Sequence, residues 1–182
     1  ISVFSEQYEA AANLAVTVLN SSQAQYRFEL VIADSGCDGS KAAISARDLI
    51  DDGVVGIVGA ACSGATMGAI QVAAPAGIPM VSYASTSSTI TYVDDNGYLF
   101  RIVPSDAQQA HALAAVVADS GAIMPALLHM TNDYGRGLAD DFELNWGTGV
   151  CTRVGYDPAD GSYDPETIAQ SVIDGECNSV VL

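Results

Sequence analysis

Val54-Val55-Gly56-Ile57-Val58-Gly59 is short, rich in β-branched residues and free of charge, and it ends in the small-residue turn Ala60-Ala61-Cys62-Ser63-Gly64. Such a run suits a central parallel strand buried on both faces, where the apolar/polar alternation of a half-exposed strand disappears. A helical pattern follows over residues 65–77, with Met67, Ile70, Val72 and Ala74 as apolar positions and Gly77 as its stop. Pro79-Met80-Val81 makes a second brief strand, and the turn after it, Ser82-Tyr83-Ala84-Ser85-Thr86-Ser87-Ser88, is dense in hydroxyls. Ligands of open parallel sheets bind beyond the carboxyl ends of the strands, where loops and helix N-termini offer unpaired donors. A compact anion such as an α-carboxylate would find Ser63, the Ser85 backbone and the Thr86 hydroxyl there. Neither turn holds a Lys or Arg, which favours a dipolar ligand over a phosphate. The same Ser and Thr residues also read as ordinary caps of strand-to-helix turns.

The rest of the chain repeats this rhythm. A first helix carries Tyr8, Ala11, Ala12, Ala15, Val16 and Leu19 at helical spacing and stops at Asn20-Ser21-Ser22. Residues 26–34 read as a strand moving from an edge into a core, residues 40–52 as a helix, 98–102 as a strand and 107–119 as a long helix ending at Ser120-Gly121. After Gly121 come a strand over 126–130, the turn Thr131-Asn132-Asp133-Tyr134, a helix over 137–146, a strand over 150–156, a helix over 165–174 and a strand over 178–182. Alternation at these lengths predicts a doubly wound α/β architecture with parallel sheets, divided into residues 1–121 and the start of a second lobe, 122–182.

Charge narrows the partners. Six Lys+Arg against 22 Asp+Glu leave a formal charge of −16, which argues against nucleic acid and against anionic membrane. No apolar run approaches the roughly 20 residues of a bilayer span, so no direct membrane insertion is expected. A catalytic reading would pair Ser63 with His111 or His129, yet there is no GxSxG elbow and no glycine-rich phosphate loop. His111 stands mid-helix among alanines and His129 inside an apolar strand, where a satisfied core histidine is the simpler reading. Zinc is disfavoured because no CxxC pair exists. The expectation is a binding protein with no cofactor and no enzyme activity.

Residues 59–91 with their VSYAST segment, the run Phe100-Arg101-Ile102-Val103-Pro104-Ser105-Asp106 and the turn Asn132-Asp133-Tyr134-Gly135-Arg136-Gly137 resemble the type I periplasmic binding proteins for amino acids. The chain is similar both to their leucine/isoleucine/valine-binding group and to the ligand-binding ectodomains of class C receptors. The resemblance implies a two-lobed fold, present as an incomplete chain that lacks the family's first strand and the Gly/Ser-rich loop before the first helix. It implies that Ser63, Ser85 and Thr86 hold the α-carboxylate, that Ala84 belongs to the same ligand set, and that Tyr134 closes on the ligand from the second lobe. Phe4 matches an aromatic residue beside the ligand in some members, and reads equally as packing at a helix start.

On this resemblance the protein captures an amino acid, branched-chain or another small one, and delivers it to an ABC transporter permease, in a periplasmic or extracellular compartment. A sensor ectodomain of the class C receptor type is the alternative, and a cytoplasmic sugar-sensing repressor core a more distant one. Members of the branched-chain group carry a disulfide at the pair matching Cys37 and Cys62, which follow adjacent predicted strands. Cys151 and Cys177 would form a second bridge. Four buried free thiols are the competing reading.

Overall fold

In the computed structural model, which describes residues 5–23, 25–158, 161 and 163–181, six helices alternate with six short strands. Helix α1 (Ser5–Ser22) leads to α2 (Gly39–Asp51), which Asp38 caps by accepting the Lys41 N–H at 2.7 Å. Strand β1 (Ile57–Val58), helix α3 (Ser63–Ala73), strand β2 (Met80–Ser82), a 3-10 turn (Ser88–Tyr92) and strand β3 (Leu99–Arg101) complete a first unit. Its sheet is parallel in the order β1-β2-β3. Helix α4 (Asp106–Asp119) precedes β4 (Pro125–Met130), α5 (Asp133–Trp146), β5 (Thr152–Tyr156), α6 (Pro165–Asp174) and β6 (Ser179–Val181). These strands form a second parallel sheet in the order β5-β4-β6. No described helix is long and apolar enough to cross a membrane.

Each sheet has its own core. In the first, Ala42 and Ala46 of α2 pack with Ala65, Ala69, Ile70 and Ala73 of α3 and with Met80 of β2. Small side chains let these helices meet almost backbone to backbone, and the Cys37–Cys62 disulfide ties the start of one to the start of the other. In the second, Leu127 of β4 and Val181 of β6 pack with Ala139 and Phe142 of α5 and with Ala110 and Ala114 of α4. Cys151–Cys177 links the residue before β5 to the turn before β6. The sequence-based division at Gly121 groups α4 with the first unit, whereas its buried alanines pack in the second core.

Two predicted strands differ. Residues 26–34 form no strand, and Val31 and Ile32 are exposed. Alternation prepares a chain for a sheet, yet a strand exists only beside a hydrogen-bonding neighbour, and none of the described residues supplies one. The run 54–59 contributes only Ile57 and Val58 to the sheet, and it is not buried on both faces: Val55 is 81% exposed and Val58 74%. Here β1 is an edge strand, paired with β2 alone among the described residues.

Candidate functional site

At the carboxyl edge of the first sheet the turns after β1 and β2 meet. Ser63 is the first residue of α3 and not its cap, since Cys62 holds the cap position without a side-chain bond. The Ser63 hydroxyl instead accepts the backbone N–H of Ser87 at 3.3 Å, and the residue is buried. Ser85 is fully buried and turned inward: its hydroxyl lies 2.7 Å from that of Thr66 and within 3.1 and 3.2 Å of the Ala60 and Ala61 carbonyls. Its N–H donates to the Ser82 hydroxyl, which donates in turn to the Ala60 carbonyl. Ser85 therefore spends its polar groups on joining the two turns. Ala84 and Thr86, on either side of it, are half-buried. The Thr86 carbonyl accepts from the Asp106 N–H at 2.8 Å and its side chain bonds the Asp106 carboxyl.

The N-terminus of α5 faces this edge. Asn132 caps the helix by accepting the Gly135 N–H at 2.8 Å, which draws Asp133 and Tyr134 into the first helical turn rather than the open turn predicted. The Ser87 hydroxyl donates to the Asp133 carbonyl at 3.3 Å. The approach is close on both sides: a Cβ on Gly64 would stand 2.5 Å from the Asp133 Oδ2, whose exposed side chain would have to turn aside, and one on Gly137 2.7 Å from the Oγ of buried Ser87. Tyr134 is half-buried on the helix that faces this edge. Tyr8 of α1 packs on Tyr83 with ring centroids 4.9 Å apart, which brings the start of α1 to the same edge. Phe4 lies outside the described residues.

Three residues that sequence reasoning did not single out hold this arrangement. Ser87 contacts both Ser63 and Asp133. Arg101 donates to the Thr86 and Ser87 carbonyls. Asp106, 2% exposed, begins α4, and its Oδ2 has no hydrogen-bond partner among the described residues. Burial pushes its carboxyl pKa up; the Thr86 hydrogen bond opposes this, the Asp141 charge adds to it, and the Arg101 charge opposes it. Arg101 and Asp106 stand in the run Phe100-Arg101-Ile102-Val103-Pro104-Ser105-Asp106 that carries the resemblance, which gives neither a role of its own. The histidines are engaged elsewhere: His111 bonds the Asn145 side chain at 3.0 Å, and His129 lies between the Met130 carbonyl and the Arg153 guanidinium. The described residues hold no group of three or more His, Cys, Asp or Glu placed for a metal.

Residues 7–167 match the family described as receptor family ligand binding region. The chain is 28% identical over 160 residues to a Leu/Ile/Val-binding protein homolog of Brucella melitensis, covering 86% of this chain and 43% of that protein. It is 26% identical over 170 residues to a metabotropic glutamate receptor-like protein of Dictyostelium discoideum, covering 92% of this chain and 21% of the receptor. Among solved structures, an ABC transporter substrate-binding protein of Desulfitobacterium hafniense in complex with Leu superposes with a TM-score of 0.65 at 28% identity. That superposition covers 92% of this chain and 51% of the other. The chain thus spans about half or less of each protein it matches, and each is named as a binding protein or a receptor.

Proposed function

Since the chain belongs to the receptor ligand-binding-region family, whose solved members include the type I periplasmic binding proteins, we propose that it captures a branched-chain or other small α-amino acid between its two units. One observation carries this reading. The Ser63 hydroxyl sits at the start of α3 with its oxygen already occupied by the Ser87 N–H, so its proton is free to donate to a carboxylate. Thr86 is the second donor. It is half-buried at the same edge, with its carbonyl fixed by the Asp106 N–H. Ser85 shapes the cradle from beneath, Ala84 lies beside it in the same turn, and Tyr134 covers the ligand from α5. The units divide between β3 and α4, so that residues 102–105 form the hinge.

Two disulfides favour an oxidising compartment, periplasmic or extracellular, over the cytoplasm of a repressor core. The likeness to a transporter's substrate-binding protein supports delivery to an ABC transporter permease. A receptor ectodomain is the second reading, supported by the Dictyostelium relative that aligns with 92% of the chain.

Calorimetry of the full-length protein with L-leucine and with leucinamide tests the cradle. Hydrogen bonds to a charged group contribute about 1.5–3 kcal/mol, so Thr86→Val should weaken leucine binding roughly 10- to 150-fold. The amide should bind poorly to both forms. Equal affinity of the wild type for acid and amide would remove the carboxylate cradle.

A further inference from the structure

Arg101 ends β3 in register with Ser82 of β2, and its guanidinium reaches across to the turn that follows β2. One nitrogen donates to the carbonyls of Thr86 at 3.2 Å and Ser87 at 2.8 Å, and the other to the Thr91 hydroxyl. No ion pair among the described residues involves it, although acidic residues far outnumber basic ones. Its charge is directed at backbone carbonyls.

The bonded peptide is the one that matters to the cradle. The Thr86 carbonyl takes both Arg101 and the Asp106 N–H, which fills its two lone pairs and fixes the plane of the 86–87 peptide. The N–H of that same peptide belongs to Ser87 and donates to the Ser63 hydroxyl. A carbonyl bonded to a cation polarises its own amide, so the N–H becomes a stronger donor. Ser63, accepting from it, is left with a single proton that must point elsewhere.

We propose that Arg101 is a positioning residue for the ligand carboxylate, acting through the 86–87 peptide and the Ser63 hydroxyl without touching the ligand. It supplies positive charge behind a cradle that contains no cation of its own, one peptide and two hydrogen bonds from the Ser63 hydroxyl. The inference rests on the reading that Ser63 meets the carboxylate. Lysine cannot replace it, because a single ammonium does not span the Thr86 and Ser87 carbonyls and the Thr91 hydroxyl together.

The test is a double-mutant cycle on the full-length protein, read by calorimetry with L-leucine beside thermal unfolding of each variant. Ser63→Ala and Arg101→Gln should each weaken binding by roughly tenfold or more. The double variant should bind within about twofold of Ser63→Ala alone, because Arg101 has lost the group it acts through. Arg101→Lys should lose nearly as much as Arg101→Gln, and it replaces the glutamine variant in the cycle if that one does not fold. Losses that multiply in the double variant would overturn the relay while leaving the cradle standing, as would unchanged affinity in both Arg101 variants. Unchanged affinity in Ser63→Ala would overturn the cradle and the relay together.

Discussion

The Ser87 hydroxyl donates to the backbone carbonyl of Asp133 at 3.3 Å, joining residues 46 positions apart and tying the turn after β2 to the start of α5. The hydroxyl of Thr89 stands 2.9 Å from the same oxygen, so Ser87 can accept from Thr89 while it donates across the units. Removing it costs about one neutral hydrogen bond, roughly 0.5–1.5 kcal/mol. Ser87→Ala should therefore speed leucine release about two- to tenfold, since interface truncations act mainly on the off-rate. Stopped-flow traces with an unchanged off-rate would show that this contact does not hold the closed form.

Gly68 on α3 lies so close to α2 that a Cβ there would stand 2.0 Å from the Gly39 carbonyl oxygen. A backbone oxygen cannot rotate away as a side chain can, so the helices must separate. Gly68→Ala should destabilise the protein by about 1–3 kcal/mol through overpacking. Urea unfolding midpoints equal to wild type would contradict this account of how α2 and α3 pack.

Asp106 gives stability a pH dependence of unusual sign for a carboxyl. Because burial raises its pKa in the folded state above the ordinary value of 3.8, the folded protein binds more protons than the unfolded chain between those two values. Its contribution is greatest below 3.8 and is lost as pH rises through the window up to the raised value. Asp106→Asn, similar in shape and never charged, should gain stability relative to wild type as pH rises through that window. Parallel stability curves for the two proteins would rule the effect out.

The bridges Cys37–Cys62 and Cys151–Cys177 close loops of 25 and 26 residues. Each should contribute roughly 3–4 kcal/mol by restricting the unfolded chain. Mass spectrometry of unreduced peptides should find those two linkages and no other. Four freely alkylated cysteines in protein isolated from its native compartment would remove the oxidising-compartment assignment.

Most element types were legible in the sequence because they depend on neighbours: Asp38 before α2, Asn132 before α5 and Asp164 before α6 each cap within three residues. The VSYAST turn and Ser63 stood out for the same reason, as small residues next to short apolar runs. Whether an apolar run becomes a buried strand depends on a partner elsewhere, which is why residues 26–34 stay unpaired and β1 forms an edge. An alanine-rich helix such as α4 shows the same stripe whichever core it enters, so only packing assigned it to Leu127 and Phe142. Hydroxyl orientation is likewise tertiary: Ser85 turns inward because Ala60, Ala61 and Thr66 come from another segment, and Ser63 is released from capping because Ser87 donates to it. Local chemistry determined which residues line the edge; contacts across 14 to 46 positions decided which of them hold the others in place.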